Sequence, residues 1–202
     1  MMTELVFVPI FVIAAYLLGS ISFGIIMSQL FGLPDPRTVG SGNPGATNVL
    51  RSGKKAAAAL TLIGDTGKGW LAVWLAFHYG LDGWLVCLIA LAVFLGHLYP
   101  VFYRFKGGKG VATALGVLLA LSPWVGLFSL LTWIITFGIW RYSSLAALIA
   151  AGLAPIYVII FLDYKGFMVT SVLLSLLLFW RHRGNIRKLT EGNEAGFGKT
   201  IR

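Results

Sequence analysis

Three short stretches of the chain combine glycine with basic, hydroxyl and amide side chains, a set of residue types suited to binding phosphate. Glycine lets backbone N–H groups approach an oxyanion, Ser, Thr and Asn add neutral hydrogen-bond donors, and Arg or Lys supplies the opposite charge. The stretches lie at residues 40–51, 106–113 and 182–188, and apolar segments separate them. Their composition predicts chemistry on phosphorylated compounds.

The first stretch lies in the longest polar connection of the chain, where several prolines disfavour helix. Ser41 and Asn43 are separated by one glycine and could direct their side chains toward the same ligand. Thr47 and Asn48 lie where a short helix could begin, and Arg51 would complete the positive charge. The alternative is an ordinary Gly/Pro/Asn turn with surface arginines. The stretch is not a Walker A motif, because no Gly-Lys-Ser/Thr follows at the required spacing.

The second stretch contains Gly107, Gly108, Lys109 and Gly110, directly before the apolar run 111–121. A helix that begins there would place its free N–H groups, and the positive end of its dipole, beside the lysine. We therefore predict a second anion site. The alternative is a flexible basic turn between two spans that is kept positive for membrane topology.

The third stretch places His182 and Asn185 three residues apart, so that on a helix they share one face. A hydroxylated substrate could contact both side chains. The alternative is a basic helix that rests on anionic lipid next to the membrane.

Two charged residues, Asp65 and Lys68, fall inside a predicted membrane span. An unpaired charge at that depth costs roughly 2.5–3.5 kcal/mol on insertion scales, so each needs a partner or a polar cavity. Because they are spaced i,i+3, we favour a structural ion pair between them over direct catalysis. We interpret His97, near the inner end of the third span, as a hydrogen-bonded helix-end residue in a supporting role.

The composition indicates an integral membrane protein, with residues 1–202 forming a single domain. Of the 202 residues, 58% are hydrophobic and 11% are charged, which is too apolar for a soluble domain of this length. The net charge of +9 does not indicate nucleic-acid binding, because long apolar runs separate the basic clusters. Anionic lipids and anionic substrates are the expected partners. Cys87 is the single cysteine, so it can form no internal disulfide, and no metal-ligand spacing is present.

Apolar length predicts an all-α bundle of about seven membrane-spanning helices, with six as the alternative count. A span needs about 20 mostly apolar residues. The first segment lacks the basic start and the cleavage site of a signal peptide, and we expect it to remain as the first span. One predicted span is short, and glycines and charges interrupt another. The predicted spans are 5–29, 55–79 (interrupted), 83–102, 108–121 (short), 123–140, 143–162 and 166–182.

The basic residues orient this bundle. All but Lys68 and Lys165 of the 16 lysines and arginines fall on segments that face one side of the predicted bundle. Because cytoplasmic segments are enriched in Lys and Arg, we predict an amino terminus outside and a cytoplasmic carboxyl terminus. All three phosphate-type stretches then face the cytoplasm.

Six motifs in this order resemble the bacterial acyl-phosphate:glycerol-3-phosphate acyltransferase family, and together they cover nearly the whole chain. The resemblance is slightly weaker at the tail, where Ala195 and Gly196 replace an expected Pro-Lys pair. The motifs are Gly40-Ser-Gly-Asn-Pro-Gly-Ala-Thr-Asn48 with Arg51, Gly64-Asp-x-x-Lys-Gly69, Gly96-His-x-x-Pro-x-Phe102, Gly107-Gly-Lys-Gly-Val-Ala-Thr113, Arg141-x-Ser-Ser144, and His182-x-x-Asn-Ile186 with Gly192-x-Glu194.

The resemblance implies a seven-helix enzyme of the bacterial inner membrane with a cytoplasmic active site and no cofactor. It implies transfer of a long-chain acyl group from acyl phosphate to the 1-hydroxyl of sn-glycerol 3-phosphate, which gives lysophosphatidic acid for phospholipid synthesis. A separate enzyme that supplies acyl phosphate is a possible partner. Ser41, Arg51 and Lys109 match phosphate-handling positions, and His182 and Asn185 match positions near the acceptor hydroxyls. The substrate-binding residues expected from the motifs are Gly42, Asn43, Thr47, Asn48, Gly107, Gly108, Gly110, Ser143, Ser144 and Glu194.

This chemistry agrees with the residues present. An acyl phosphate is a mixed anhydride that releases phosphate, so catalysis needs charge neutralisation and positioning more than a strong acid. No Ser or Cys stands beside a base in a triad-like pattern, which favours direct transfer over an acyl-enzyme intermediate. His182, Asp65 and an oxygen of the donor phosphate are candidates for the group that accepts the hydroxyl proton, and we favour His182 or the phosphate.

Two other classes of protein are alternatives. The charged pair at depth in the second segment suggests a transporter or channel for a phosphorylated metabolite. A transporter, however, needs polar groups along a path to both faces, whereas here the chemistry-capable residues gather on one side. A small structural membrane subunit would explain the helices but not three phosphate-type stretches.

Overall fold

The computed structural model describes residues 2–196, and within that range the ordered elements are all helical. Lys199 and Arg202, two of the basic residues predicted to face inward, lie outside the described residues. A single 3-10 turn, Val101–Tyr103, follows the fifth helix. The α-helices are α1 Met2–Gly19, α2 Phe23–Leu30, α3 Ala46–Arg51, α4 Lys55–His78, α5 Gly83–Leu98, α6 Val111–Leu121, α7 Pro123–Trp140, α8 Ser143–Phe161, α9 Lys165–Arg181 and α10 Arg183–Thr190.

Six of the helices pack in a closed ring, α5–α4–α6–α7–α8–α9, and contacts between α9 and α5 close it. Helix α1 packs outside the ring on α5, whereas α2 and α3 pack on α4. Small residues permit the closest contacts, since a Cβ on Gly69 or Gly116 would overlap the carbonyl of Thr113 or Thr66 across the α4–α6 interface. Close helix packing therefore sets the positions of the loops at the helix ends.

The first predicted span, 5–29, is broken in the structure rather than continuous. Helix α1 ends at Gly19, α2 begins at Phe23, and the two axes differ by 41°. The break frees the carbonyl of Ile21, which accepts a hydrogen bond of 2.6 Å from Lys68 Nζ. A charged side chain of a neighbouring helix thus satisfies a backbone group that an unbroken helix would have paired within itself.

The second predicted span is one continuous helix, because α4 continues from Lys55 through His78. Its glycines and charges interrupt the apolar run, as the sequence predicts, but they do not interrupt the helix. Lys68 Nζ lies 2.8 Å from Asp65 Oδ1, so the two charges compensate each other within the helix. Two of the three interior glycines contact neighbouring elements, Gly64 the ring of Phe23 and Gly69 the backbone of Thr113, whereas Gly67 has no such neighbour.

The structure supports an integral membrane protein. Among the described residues, three helical segments are long and apolar enough to cross a membrane: Gly83–Tyr103, Pro123–Trp140 and Ser143–Phe161. The bent pair Val8–Gly19 with Phe23–Leu30 would make a fourth. Helix α6 is apolar but has only 11 residues. Large apolar side chains on α7 and α8 point outward, as expected for surfaces in contact with lipid; they include Ile134, Ile135, Ile139, Ile159 and Ile160.

Candidate active site

A cavity of about 1080 Å³ lies between α4, α6, α7, α8 and α9, and it joins a polar end to an apolar end. The polar end, which we call the mouth, is formed by the 40–51 segment, the starts of α6 and α8, the α9–α10 junction and residues 193–195. The apolar end, which we call the arm, runs between the helices. The polar side chains of the mouth include Ser41, Asn43, Thr47, Arg51, Lys109, Ser143, Ser144, His182, Asn185 and Glu194.

Asn48 fixes the shape of the loop that carries Ser41. Its Nδ2 donates to the carbonyls of Pro36 and Val39 at 2.8 and 3.1 Å, and its Oδ1 accepts from the Ser41 N–H at 2.9 Å. Although we expected Asn48 to bind substrate, its side chain is 3% exposed and hydrogen-bonded within the protein. It holds the loop, and it leaves the Ser41 side chain exposed at the mouth.

Gly42, also expected to contact substrate, does not line the cavity. Its N–H donates to the carbonyl of Val39 at 3.0 Å and closes a tight turn, in which Gly40 and Gly42 both have a left-handed φ, of 58° and 70°. The short helix expected near Thr47 is present as α3. Thr47 Oγ1 lies 3.1 Å from Ser143 Oγ, and Arg51 donates to the carbonyl of Ala195 at 3.0 Å. These contacts join the first loop to α8 and to the tail.

The glycine turn, residues 107–110, contacts the mouth through only half of its residues. The carbonyl of His97 accepts a hydrogen bond of 3.1 Å from Gly108 N–H, and a Cβ on Gly107 or Gly108 would overlap His97. Both glycines were expected to bind substrate, but they face α5 instead of the cavity. Gly110 has a φ of 88° and is the N-cap residue of α6, and the first residues of that helix line the mouth beside Lys109.

Lys109 begins a chain of hydrogen bonds that joins four segments of the mouth. Its Nζ donates to Asn185 Oδ1, and Asn185 Nδ2 donates to Glu194 Oε1 at 2.7 Å. Ser144 Oγ donates to the same carboxylate oxygen. The resemblance assigns Ser144 and Glu194 to substrate binding, but in the structure this oxygen is occupied by two protein donors. Glu194 therefore holds Asn185 and Ser144 in place.

Lys109 is partly buried in a mouth that is rich in positive charge, and both features lower its pKa, burial the more strongly. Burial lowers the pKa of Lys109 to about 8; the Glu194 carboxylate opposes this shift, whereas Arg181, Lys188 and Arg51 add to it. An anion bound there would relieve the repulsion among these cations. The mouth is therefore suited to binding an anion.

His182 lies in the junction between α9 and α10, buried at the cavity wall. Its Nδ1 lies 2.9 Å from the carbonyl of Leu178. Because a carbonyl can only accept, Nδ1 carries the proton and Nε2 of the neutral ring is left as an acceptor. Burial lowers the pKa of His182 to about 4, so the ring is neutral near pH 7.

The charged residues of α4 form a buried pair, as the sequence predicts. Asp65 lies in the cavity wall, His97 Nδ1 lies 3.6 Å from Asp65 Oδ1, and Lys68 is turned away from the cavity toward Ile21. Since the aspartate is compensated by Lys68, the geometry favours the structural role over that of a base.

The arm is apolar because alanines line it and because its hydroxyl groups are hydrogen-bonded to backbone carbonyls of the helices. Ser175 Oγ shares its one hydrogen between the carbonyls of Ala151 and Ser171, at 2.6 and 2.8 Å, and Ser129 donates within α7. The α8 wall consists of small side chains at helical spacing: Ala147, Ala150, Ala151 and Ala154.

Sequence reasoning missed two features of the site. The alanine wall was visible as a stripe of small residues in the sixth predicted span, but nothing in that pattern told a lipid pocket from helix packing. Arg181 was counted only as a topology charge, yet its side chain hydrogen-bonds the glycine turn. In the sequence, the one feature that could have indicated this role of Arg181 is its position next to His182. Among the described residues, no group of three or more His, Cys, Asp or Glu could hold a metal ion.

The family model and the known proteins that match this chain carry the same description. A family model described as glycerol-3-phosphate acyltransferase matches residues 9–192. A glycerol-3-phosphate acyltransferase of Methylobacillus flagellatus is 70% identical over 190 residues, which cover 94% of this chain and 97% of the relative.

Two crystal structures of PlsY, an integral membrane glycerol 3-phosphate acyltransferase, share this fold. The glycerol 3-phosphate form superimposes with a TM-score of 0.90 at 44% identity and covers 95% of this chain and 96% of that one. The lysophosphatidic acid form gives 0.88 at 43% identity and covers 95% of each chain.

Proposed function

The chain belongs to the glycerol-3-phosphate acyltransferase family, and from this membership and the shape of its cavity we propose that it acylates the 1-hydroxyl of sn-glycerol 3-phosphate. The donor is a long-chain acyl phosphate, and the products are lysophosphatidic acid and phosphate. The observation that carries the proposal is the joining of a cationic mouth to an apolar arm in one cavity. Such a cavity suits a substrate with a phosphate at one end and a hydrocarbon chain at the other.

The two phosphates bind at the mouth. Arg51, Lys109 and the N-terminus of α6 supply the positive charge and the N–H donors, and Ser41 and Thr47 add hydroxyl groups. His182 Nε2 and Asn185 hydrogen-bond the hydroxyls of the acceptor. The acyl chain extends into the arm.

The reaction is a direct transfer. The 1-hydroxyl oxygen attacks the carbonyl carbon of the acyl phosphate, a new ester C–O bond forms, and the bond between carbonyl carbon and phosphate oxygen breaks. The proton of the hydroxyl moves to an oxygen of the departing phosphate. A phosphate group, with a second pKa on the order of 6, is a stronger base than His182, whose pKa is about 4. The cations of the mouth stabilise the charge that gathers on the leaving group.

The protein crosses the bacterial inner membrane seven times in this proposal, through the bent pair α1–α2 and through α4 to α9. The amino terminus lies outside, and the mouth opens to the cytoplasm. A cytoplasmic or peripheral enzyme supplies the acyl phosphate. The residues form one domain, because the mouth draws side chains from both ends of the chain.

Transport of a phosphorylated metabolite is the rival function. The cavity argues against it, because its basic side chains gather at one end and the described hydroxyl groups that line the arm are hydrogen-bonded to backbone carbonyls. Proteoliposomes loaded with labelled glycerol 3-phosphate separate the two functions, since counterflow without new lipid would support transport.

The donor is tested with purified protein and labelled glycerol 3-phosphate. We expect lysophosphatidic acid with palmitoyl phosphate, and none with palmitoyl coenzyme A or palmitoyl acyl-carrier protein. Both thioesters present the same acyl chain, so they control for binding in the arm. Equal turnover of a thioester would show that the mouth is not built for an acyl phosphate.

A further inference from the structure

Arg181, the last residue of α9, holds the glycine turn from the side opposite to His97. Its Nε donates to the carbonyl of Gly108 at 3.1 Å, and its Nη2 donates to the carbonyl of Gly107 at 3.0 Å. Its guanidinium carbon lies 5.4 Å from the centre of the Tyr99 ring. The turn is thus clamped between His97 on α5 and Arg181 on α9.

These contacts determine the position of Lys109, whose Nζ lies at the mouth. Lys109 follows Gly108 directly, and its Nζ reaches Asn185 on α10, only four residues beyond Arg181. Because Arg181 donates to two consecutive carbonyls, it fixes both the position and the orientation of the peptide units before Lys109. One side chain therefore couples the glycine turn to the segment that carries His182 and Asn185.

We propose that Arg181 is a positioning residue of the acyltransferase, which sets the place of Lys109 relative to His182 and Asn185 without touching substrate. The part of this proposal that concerns turnover rests on the proposed function. Arg181 is absent from the cavity lining, whereas Lys109 is part of it.

Because Arg181 is charged, the pKa of Lys109 provides a second measurement that tests the proposal. The charged and titratable groups that face Lys109 are Glu194 from the tail, Arg51 from α3, Lys188 from α10, His182 from the junction and Arg181 itself. Arg181 is one of the like charges that lower the pKa of Lys109. Its removal lets Lys109 keep its proton to higher pH, an effect that simple loss of folded protein would not produce.

The experiment compares the wild type with Arg181→Ala, Arg181→Lys and Arg183→Ala. Arg183 is the matched control, because it is the exposed first residue of α10, stacks on Trp180 and does not line the cavity. The kinetic constants for both substrates are measured against pH. In parallel, the labelling of Lys109 by an amine-reactive reagent is followed by peptide mass spectrometry, which reports its pKa without turnover.

For Arg181→Ala we expect kcat/KM to fall roughly 10- to 100-fold, in keeping with the loss of charged hydrogen bonds, with KM rising for the phosphate-bearing substrates. The labelling midpoint of Lys109 moves upward. Arg181→Lys keeps the midpoint near that of the wild type, because the charge is retained, and recovers part of the activity. Arg183→Ala behaves as the wild type.

An unchanged KM and an unchanged labelling midpoint in Arg181→Ala would overturn the proposal, even if less folded enzyme were recovered. If the labelling midpoint of Lys109 moved in Arg181→Ala but the wild type itself showed no acyl transfer, the proposed function would be refuted and the positioning role of Arg181 would be supported. The two failures are therefore distinguishable.

Discussion

At the scale of single residues, two titratable groups at the mouth have pKa values below their usual range, for related reasons. Burial lowers the pKa of His182 to about 4 and that of Lys109 to about 8. The histidine is therefore neutral throughout the physiological range, whereas the lysine begins to lose its charge just above it. A phosphate dianion bound beside Lys109 would draw its pKa upward again.

The first prediction concerns the pH dependence of the reaction. Because Lys109 must be protonated to bind phosphate, kcat/KM declines as the pH rises through about 8. In Lys109→Arg the decline moves to higher pH, since a guanidinium keeps its proton. Lys109→Ala loses roughly 10- to 100-fold in kcat/KM, as expected for the loss of charged hydrogen bonds.

The measurement is a pH profile of the purified enzyme, with Lys106→Arg as the control, because Lys106 is exposed and outside the cavity lining. A decline that kept the same midpoint in Lys109→Arg would assign the titration to another group.

The second prediction separates the two candidates for the proton acceptor. Glutamine can hydrogen-bond a hydroxyl but is not a base. If the leaving phosphate takes the proton, His182→Gln loses only roughly fivefold in kcat, the equivalent of one neutral hydrogen bond. A general base would contribute roughly 10²- to 10⁴-fold. A loss of that larger size in single-turnover measurements would make His182 the base.

At the scale of elements, α8 serves the two ends of the cavity with two kinds of residue. Its first turn presents Ser143 and Ser144 to the mouth, and its next turns present alanines to the arm. Ala151 lies seven residues beyond Ser144, about 10 Å along the helix axis at 1.5 Å per residue. Ser175 of α9 hydrogen-bonds the backbone at this point and keeps the two walls together.

The third prediction follows from the small side chains of this wall. Ala151→Leu fills part of the arm and shifts the preference of the enzyme toward shorter acyl phosphates. Each methylene that is kept out of the arm costs about 0.8 kcal/mol, or about fourfold in kcat/KM for the longer chain. The measurement is kcat/KM for a series of acyl phosphates of increasing length.

Ala14→Leu is the matched control, because Ala14 is exposed on α1, outside the ring. A chain-length profile in Ala151→Leu that matched both the control and the wild type would place the acyl chain somewhere other than along α8.

At the scale of the whole molecule, closure of the helix ring is what creates the site. The mouth takes Ser41, Lys109, Ser144, His182 and Glu194 from five separate segments. These segments meet because consecutive ring helices pack against one another and α9 returns to α5. No single segment forms a phosphate site by itself.

The fourth prediction tests the orientation of this assembly. In a Cys87→Ser background, single cysteines at Lys54 and Lys106 should react with an impermeant thiol reagent only from the cytoplasmic face. A cysteine at Asp163, in the loop between α8 and α9, should react only from the opposite face. The measurement is labelling in right-side-out and inverted vesicles. If Lys54 and Lys106 were labelled from opposite faces, a shared mouth would be impossible.

The sequence by itself determined the family, the membrane class and the residues that could do chemistry. These conclusions follow from local properties: apolar length, the distribution of basic residues, and motifs whose glycine spacing is read directly. The ion pair of Asp65 with Lys68 was also predictable, because i,i+3 neighbours on a helix necessarily meet. The family resemblance is confirmed by the matched family model and the relatives.

Only the tertiary structure decided which polar groups are left for a ligand. Asn48, Gly108 and Glu194 belong to the motifs, yet each is hydrogen-bonded to a residue outside its own motif: Asn48 to Pro36, Gly108 to His97 and Glu194 to Ser144. Arg181 looked like one charge among many, and its role depends on a turn more than 70 positions earlier. Hydrogen bonds between distant segments depend on how the helices pack, and packing is a property of the whole ring rather than of any one motif.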